Sequence, residues 1–205
     1  NAEIPAQPYI DGDSVVISGM AGMFPMANNI KEFSQNLYDK PRFKHNHPEL
    51  QQYCGNIPTL SPFDAQFFGV HAKLSATMDP MSRKLLEQTY QAIYDAGMSI
   101  DHVRETKLGV FIGSCFSETE KSCFYSAENR TGFGIMGCCK AMFANRISYY
   151  LDAKGPSMSM DCLCASSLVA LENAMEAIRR GDCDAAIVGS ANIILHPQSS
   201  ILLGR

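Results

Sequence analysis

Cys164 is the residue of this sequence best placed to do covalent chemistry. It lies in Gly155-Pro156-Ser157-Met158-Ser159-Met160-Asp161-Cys162-Leu163-Cys164-Ala165-Ser166-Ser167-Leu168, which reads as a strand, a sharp turn and the start of a helix. Ser157 to Met160 can alternate faces as a short strand. From Leu168 the apolar positions recur at Leu168, Leu171, Met175 and Ile178, which is helical spacing. A cysteine at that turn meets unpaired backbone N–H groups and the positive end of the helix dipole. Both favour the thiolate, so its pKa is expected below the free-cysteine value of about 8.5. The competing reading is a buried cysteine that packs as a small hydrophobe.

The other chemical signals are weaker. Eight cysteines stand at 54, 115, 123, 138, 139, 162, 164 and 183. A disulfide scaffold is usually small and poor in core, and structural zinc sites favour C-x-x-C knuckles, which are missing here. The cysteines therefore read as reduced, mostly buried thiols. A thiol-redox or metal protein built on Cys138, Cys139, Cys162 and Cys164 is the outside alternative. Gly132-Phe133-Gly134-Ile135-Met136-Gly137 matches G-x-G-x-x-G, but a dinucleotide site needs a strand immediately before it, and the nearest ends some twenty residues earlier. It reads as a turn opening a helix. His45-x-His47 sits in a loop and is not expected to hold a metal. Asn129-Arg130-Thr131 is a chance match to a glycosylation acceptor.

Composition narrows the class. The chain has 205 residues, of which 46% are hydrophobic and 19% charged, and a net charge of −4. That balance gives no reason to expect nucleic acid or an acidic membrane surface as a partner. No apolar run approaches the ~20 residues of a membrane span. Residues 1–13 are polar, carry two prolines, and read as a loose leader that is neither a signal nor a transit peptide.

The elements that must position Cys164 follow in order. Ser14–Met20 is expected as a buried central strand, and Ile30–Tyr38 as a helix with Ile30, Phe33 and Leu37 inward. Residues 40–62 read as a long surface excursion, after which Phe63, Phe67 and Phe68 re-enter a core. Asp79-Pro80 to Gly97 is the clearest helix, with Asp79 as cap, Pro80 in the first turn and Gly97 past the end. Its inner face is Leu85, Leu86, Tyr90 and Ile93, and Arg83 can pair with Glu87 outside. Leu108–Gly113 is a second buried strand, Ser114–Arg130 a polar loop, and Met136–Tyr150 a helix with Met142, Phe143, Ile147 and Tyr150 inward. The helix after Cys164 ends at Arg179-Arg180-Gly181, and Ala185–Gly189 is the heart of a last strand. His196 reads as a loop residue. The order β-α-α-β-α-β-α-β predicts an α/β domain with a mostly parallel sheet and helices on both faces.

These blocks resemble the β-ketoacyl synthases. Gly155 to Asp161, Cys164 and Ser166-Ser167-Leu168-Val169-Ala170-Leu171 look like that family's active-site signature. Phe63-Asp64-Ala65, Phe67-Phe68-Gly69-Val70, Met78-Asp79-Pro80 with Arg83 and Leu85-Leu86-Glu87, Gly109–Gly113, Ala144–Tyr149 and Gly181–Gly189 resemble its other blocks, in its order. The resemblance is nearest to the ketosynthase of animal type I fatty acid synthase, with modular polyketide synthases next. It implies the first half of a thiolase-like layered fold, residues 14–205 being a partial domain. It implies that Cys164 accepts an acyl group from a carrier thioester, its own N–H serving as an oxyanion donor, before decarboxylative condensation with a malonyl thioester. Ile135 matches a position lining the acyl pocket, with core packing as the alternative.

The implied partners are an acyl carrier protein domain bearing phosphopantetheine, the rest of the ketosynthase domain, and a second copy in a homodimer. The implied location is cytoplasmic. No cofactor or metal is expected on this segment itself. Two departures stand out. Cys162 and Leu163 replace the family's threonine and alanine beside the nucleophile. The family's two catalytic histidines belong to later motifs that these 205 residues lack, so the segment alone is expected to be inactive in condensation. A non-catalytic half-domain that binds an acyl chain or a partner is the alternative.

Overall fold

The computed structural model describes residues 14–40, 55, 57, 60, 62–125 and 132–203. The 1–13 leader, His45, His47, Cys54 and Asn129-Arg130-Thr131 lie outside them. The described elements are α1 (Ile30–Asp39), α2 (Ala72–Thr77), α3 (Pro80–Asp95), α4 (Ile100–Val103), β1 (Leu108–Gly113), α5 (Glu118–Tyr125), α6 (Gly134–Cys138), α7 (Met142–Leu151), β2 (Ser157–Met160), α8 (Ser166–Arg179), β3 (Ala185–Ser190) and α9 (Pro197–Leu203).

Three parallel strands form a sheet in the order β2-β1-β3. The central strand β1 is buried along all six residues, as an apolar run covered on both faces should be. Its alternation sends Leu108, Val110 and Ile112 into a core with Leu85, Leu86 and Ile93 of α3 and Phe143, Ile147 and Leu151 of α7. Phe111 turns to the other face and packs with Ala170, Ala174 and Ala177 of α8 and with Cys183. The expectation of an α/β layer with helices on both faces holds.

Local signals set α3. The Asp79 carboxylate accepts from the Met81 N–H at 2.7 Å, Pro80 opens the first turn, and Gly97 takes φ +74° beyond the end. Glu87 pairs with the mostly buried Lys84 of the same helix at 2.7 Å.

Three expectations are corrected. Ser14–Met20 forms no strand. It passes the end of α3 without regular structure, where the Met20 N–H meets Asp95 at 2.8 Å, and leaves Val16 74% exposed. The predicted polar loop 114–130 contains α5, because Ser117 accepts from the Glu120 N–H at 2.9 Å and starts a helix. The single helix 136–150 is two, α6 and α7, with Cys139-Lys140-Ala141 between them.

On α8 the helical spacing holds, and the buried face is Ser166, Ala170, Ala174 and Ala177, while Leu168 is 69% exposed. Close approach decides this. A methyl group on Gly113 would stand 2.5 Å from the Ser166 carbonyl oxygen, so the start of α8 lies directly on the sheet with no room for a larger residue there. In the re-entry segment Phe68 is buried, stacked on Phe63 at 5.2 Å, whereas Phe67 is half exposed.

Candidate active site

Cys164 lies in a short 3₁₀ turn, Leu163–Ala165, between β2 and α8, and is exposed. Three side chains hold this turn. The Ser166 hydroxyl, 3% exposed, accepts from the Cys162 N–H at 2.9 Å and donates to the Leu163 carbonyl at 2.6 Å. Asp161 accepts from the Leu163 N–H at 3.3 Å. Lys140 donates to Asp161 at 2.6 Å and to the Cys115 carbonyl at 2.8 Å. Leu163 itself adopts φ +52°, a left-handed conformation disfavoured for a residue with a Cβ.

The strand beneath is tied to α7 by its serines. Ser148 donates to Ser157 at 2.7 Å, Ser157 donates to Asn145 at 3.1 Å, and Ser159 accepts from the Ala144 N–H at 3.2 Å. The alternation that marked Ser157–Met160 as a strand therefore also sends its hydroxyls to one helix.

Charge around the turn is dominated by one ion pair. The Lys140 ammonium holds the Asp161 carboxyl below its ordinary range. The seven described cysteines are free, and Cys162 and Cys164 are the two exposed ones. Burial pushes the Cys138 thiol up to about 12 and raises those of Cys115 and Cys183. Buried thiols of this kind are poor nucleophiles at neutral pH.

Ile135 lies on α6 and is 68% exposed. It contributes nothing to the described core, so its core-packing reading fails. A cleft of about 430 Å³ lined by Phe67, Tyr90, Ile93, Met98, Arg104 and Tyr150, among others, includes neither Ile135 nor Cys164. Among the described residues no three His, Cys, Asp or Glu side chains gather as metal ligands, and no helix is long and apolar enough to cross a membrane.

The three described histidines each accept a hydrogen bond from a nearby backbone N–H. His71 accepts from the Lys73 N–H, His102 from the Ser99 N–H, and His196 from the Gln198 N–H. His196 lies in the loop before α9, as expected, and that loop is held because Glu118 of α5 accepts from the Leu195 and His196 N–H groups and from the Ser199 hydroxyl.

Sequence reasoning found the Cys164 turn and missed the groups that hold it. Lys140 lies 21 residues before Asp161, and no spacing rule links them. Asp79 does more than cap α3. It also accepts from the Ser117 hydroxyl at 2.6 Å, tying α3 to the start of α5.

Comparison with known proteins agrees with this architecture. A family model described as the N-terminal domain of β-ketoacyl synthase matches residues 12–205. A fatty acid synthase of Anser anser anser is 45% identical over 197 residues, covering 92% of this chain and 56% of that protein. The polyketide synthase ThaG of Burkholderia thailandensis is 32% identical over 217 residues, or 97% of this chain and 4% of its own length. Among solved structures, the oxazolomycin ketosynthase domain OzmH KS7 of Streptomyces albus superposes with a TM-score of 0.80 at 29% identity, over 92% of this chain and 36% of that one. The chain thus spans about half of the first relative and a small part of the second. Its sheet, its Cys164 turn and a family match along nearly its whole length have one reading: the chain belongs to the β-ketoacyl synthases, whose N-terminal domain it carries.

Proposed function

We propose that this chain provides the acyl-accepting half of a condensing enzyme of the fatty acid synthase type. The Cys164 thiolate attacks the carbonyl carbon of an acyl thioester on a phosphopantetheine-bearing carrier domain. The carrier thiol leaves and an acyl-Cys164 thioester forms. The tetrahedral oxyanion of that step is met by the Cys164 N–H at the helix start. A malonyl thioester then loses carbon dioxide, and the resulting enolate carbon attacks the acyl-Cys164 carbonyl. A β-ketoacyl thioester leaves and the thiolate returns. Ile135 lines the acyl pocket in this reading, and its exposed side chain is free to meet a chain.

The imidazoles that assist decarboxylation come from outside residues 1–205. This is consistent with the local capping roles of His71, His102 and His196. The remainder of the ketosynthase domain, a carrier domain and a second copy are its partners, and the cytoplasm is its place of action.

The observation that carries the proposal is an exposed thiol on a side-chain-braced turn at the start of α8, while Cys138 and Cys183 are buried. The similarity to ThaG and OzmH KS7 favours a polyketide ketosynthase as second reading, with the same thiol chemistry. The test is carbamidomethylation with iodoacetamide at near-neutral pH in the complete synthase, followed cysteine by cysteine through peptide mass. Cys164 reacting first supports the proposal. Reaction no faster than at the other cysteines removes it. Loading with acyl thioesters of fatty or polyketide type then separates the two substrate classes.

A further inference from the structure

Two halves of the Cys164 turn are held in different ways. Its C-terminal side is closed locally by Ser166, which is buried and bonded to both Cys162 and Leu163. Its N-terminal side depends on Asp161. One carboxylate oxygen accepts from the Leu163 N–H at 3.3 Å, and the other accepts from Lys140 at 2.6 Å.

Asp161 is largely exposed, with a side chain 43% accessible. An exposed carboxylate keeps its rotamer only if something anchors it. Lys140 is suited to that task because it is itself anchored: its ammonium also donates to the Cys115 carbonyl at 2.8 Å, and its side chain is only 27% accessible. The ammonium thereby joins the segment after β1, the α6–α7 connection and the β2–α8 turn. What it steadies is a residue at φ +52°, a conformation that persists only where the surroundings over-determine it.

We propose that Lys140 is a positioning residue for Cys164: by fixing Asp161 it holds the left-handed Leu163 turn that presents the thiol. The inference rests on the reading of Cys164 as the reactive thiol. Lys140 touches no substrate in this account, and its effect runs through Asp161.

The experiment follows carbamidomethylation of each cysteine in the complete synthase at about pH 7. Lys140→Met slows Cys164 by about tenfold, the usual scale for losing a charge-assisted hydrogen bond, and Lys140→Arg restores the rate to within about threefold. Asp161→Asn separates positioning from simple electrostatics. If the pair acted only through charge, removing the negative carboxylate would favour the thiolate and speed Cys164. Positioning requires that Asp161→Asn slow it, and that the double variant be no slower than the slower single one.

Rates at Cys139 and Cys183 stay unchanged and report an intact fold. If Lys140→Met does not fold, Lys140→Gln carries the same test, since it removes the charge while keeping a polar, shorter side chain. A wild-type rate in Lys140→Met, a faster Asp161→Asn, or no rescue by arginine overturns the inference. These outcomes are comparisons between variants at Cys164. A wild-type Cys164 slower than its neighbours would instead sink the functional proposal on which the inference rests.

Discussion

Gly113→Ala tests how closely α8 must lie on the sheet for Cys164 to be presented. A Cβ at this position would stand 2.5 Å from the Ser166 carbonyl oxygen, 2.6 Å from its carbon and 2.9 Å from the Ser167 nitrogen. These are backbone atoms, so no side-chain rotation relieves the clash. Ordinary contact begins at 3.4 Å, and the start of α8 must therefore retreat by about 0.9 Å. Overpacking of this kind costs about 1–3 kcal/mol. For a chain of this length that lowers the melting temperature by roughly 3–10 °C.

The same displacement moves the turn one residue upstream of Ser166, and a misplacement of about 1 Å can cost a reacting group about a hundredfold. The assay pairs thermal denaturation with the iodoacetamide rate at Cys164. Gly132→Ala is the control, because a Cβ there meets nothing within 4 Å. Its melting temperature should stay within about 1–2 °C of wild type, as for most surface substitutions. If Gly113→Ala melts like Gly132→Ala and alkylates at the wild-type rate, helix–sheet proximity does not set the position of the thiol.

Further expectations concern stability and local order. Asp79 is 1% exposed and burial raises its carboxyl above the ordinary value. Its folded form therefore binds a proton more readily than its unfolded form, and its contribution is fully present below the unfolded pKa of 3.8 and lost as pH rises through the folded one. The stability of wild type relative to Asp79→Asn should thus grow as pH falls from neutrality towards 4, read by urea melts; a constant difference would refute this. Leu163→Gly should stay within about 1 kcal/mol of wild type, since relief of the left-handed backbone offsets the added chain entropy. Leu163→Val, β-branched at the same φ, should lose more, and equal losses would deny the strain. Glu118→Ala removes the acceptor for two N–H groups entering α9, so hydrogen exchange at Leu195 and His196 should quicken by about tenfold, the scale of losing a helix cap. Unchanged exchange would mean that Glu118 does not hold that entry.

The cleft beside Tyr150 and the Cys164 turn show how far local reading reaches. Nothing in the sequence drew attention to Phe67, Met98 and Tyr150 as neighbours, because they are brought together from three separate segments. The strand–turn–helix around Cys164, by contrast, was readable from fourteen consecutive residues. Even there the reading was partial. Lys140 sits in a break that helical periodicity alone runs straight through, and its partner Asp161 looked like an unremarkable acid before a cysteine.

What the sequence determined by itself is local. A cap, a turn and a strand depend on neighbours within a few positions, so Asp79 and Gly97 bound α3, Gly181 with φ +74° follows the end of α8, and Leu108–Gly113 became the central strand. Tertiary structure decided which face of each element is covered. Periodicity says which side chains point the same way and is silent on what lies opposite them. Gly113 of β1 lets the backbone of α8 come close at Ser166, and the helix buries Ser166, Ala170, Ala174 and Ala177 while Leu168 and Leu171 turn outward. Ser14–Met20 has the composition of a strand but pairs with neither edge of the β2-β1-β3 sheet, and so stays irregular and largely exposed.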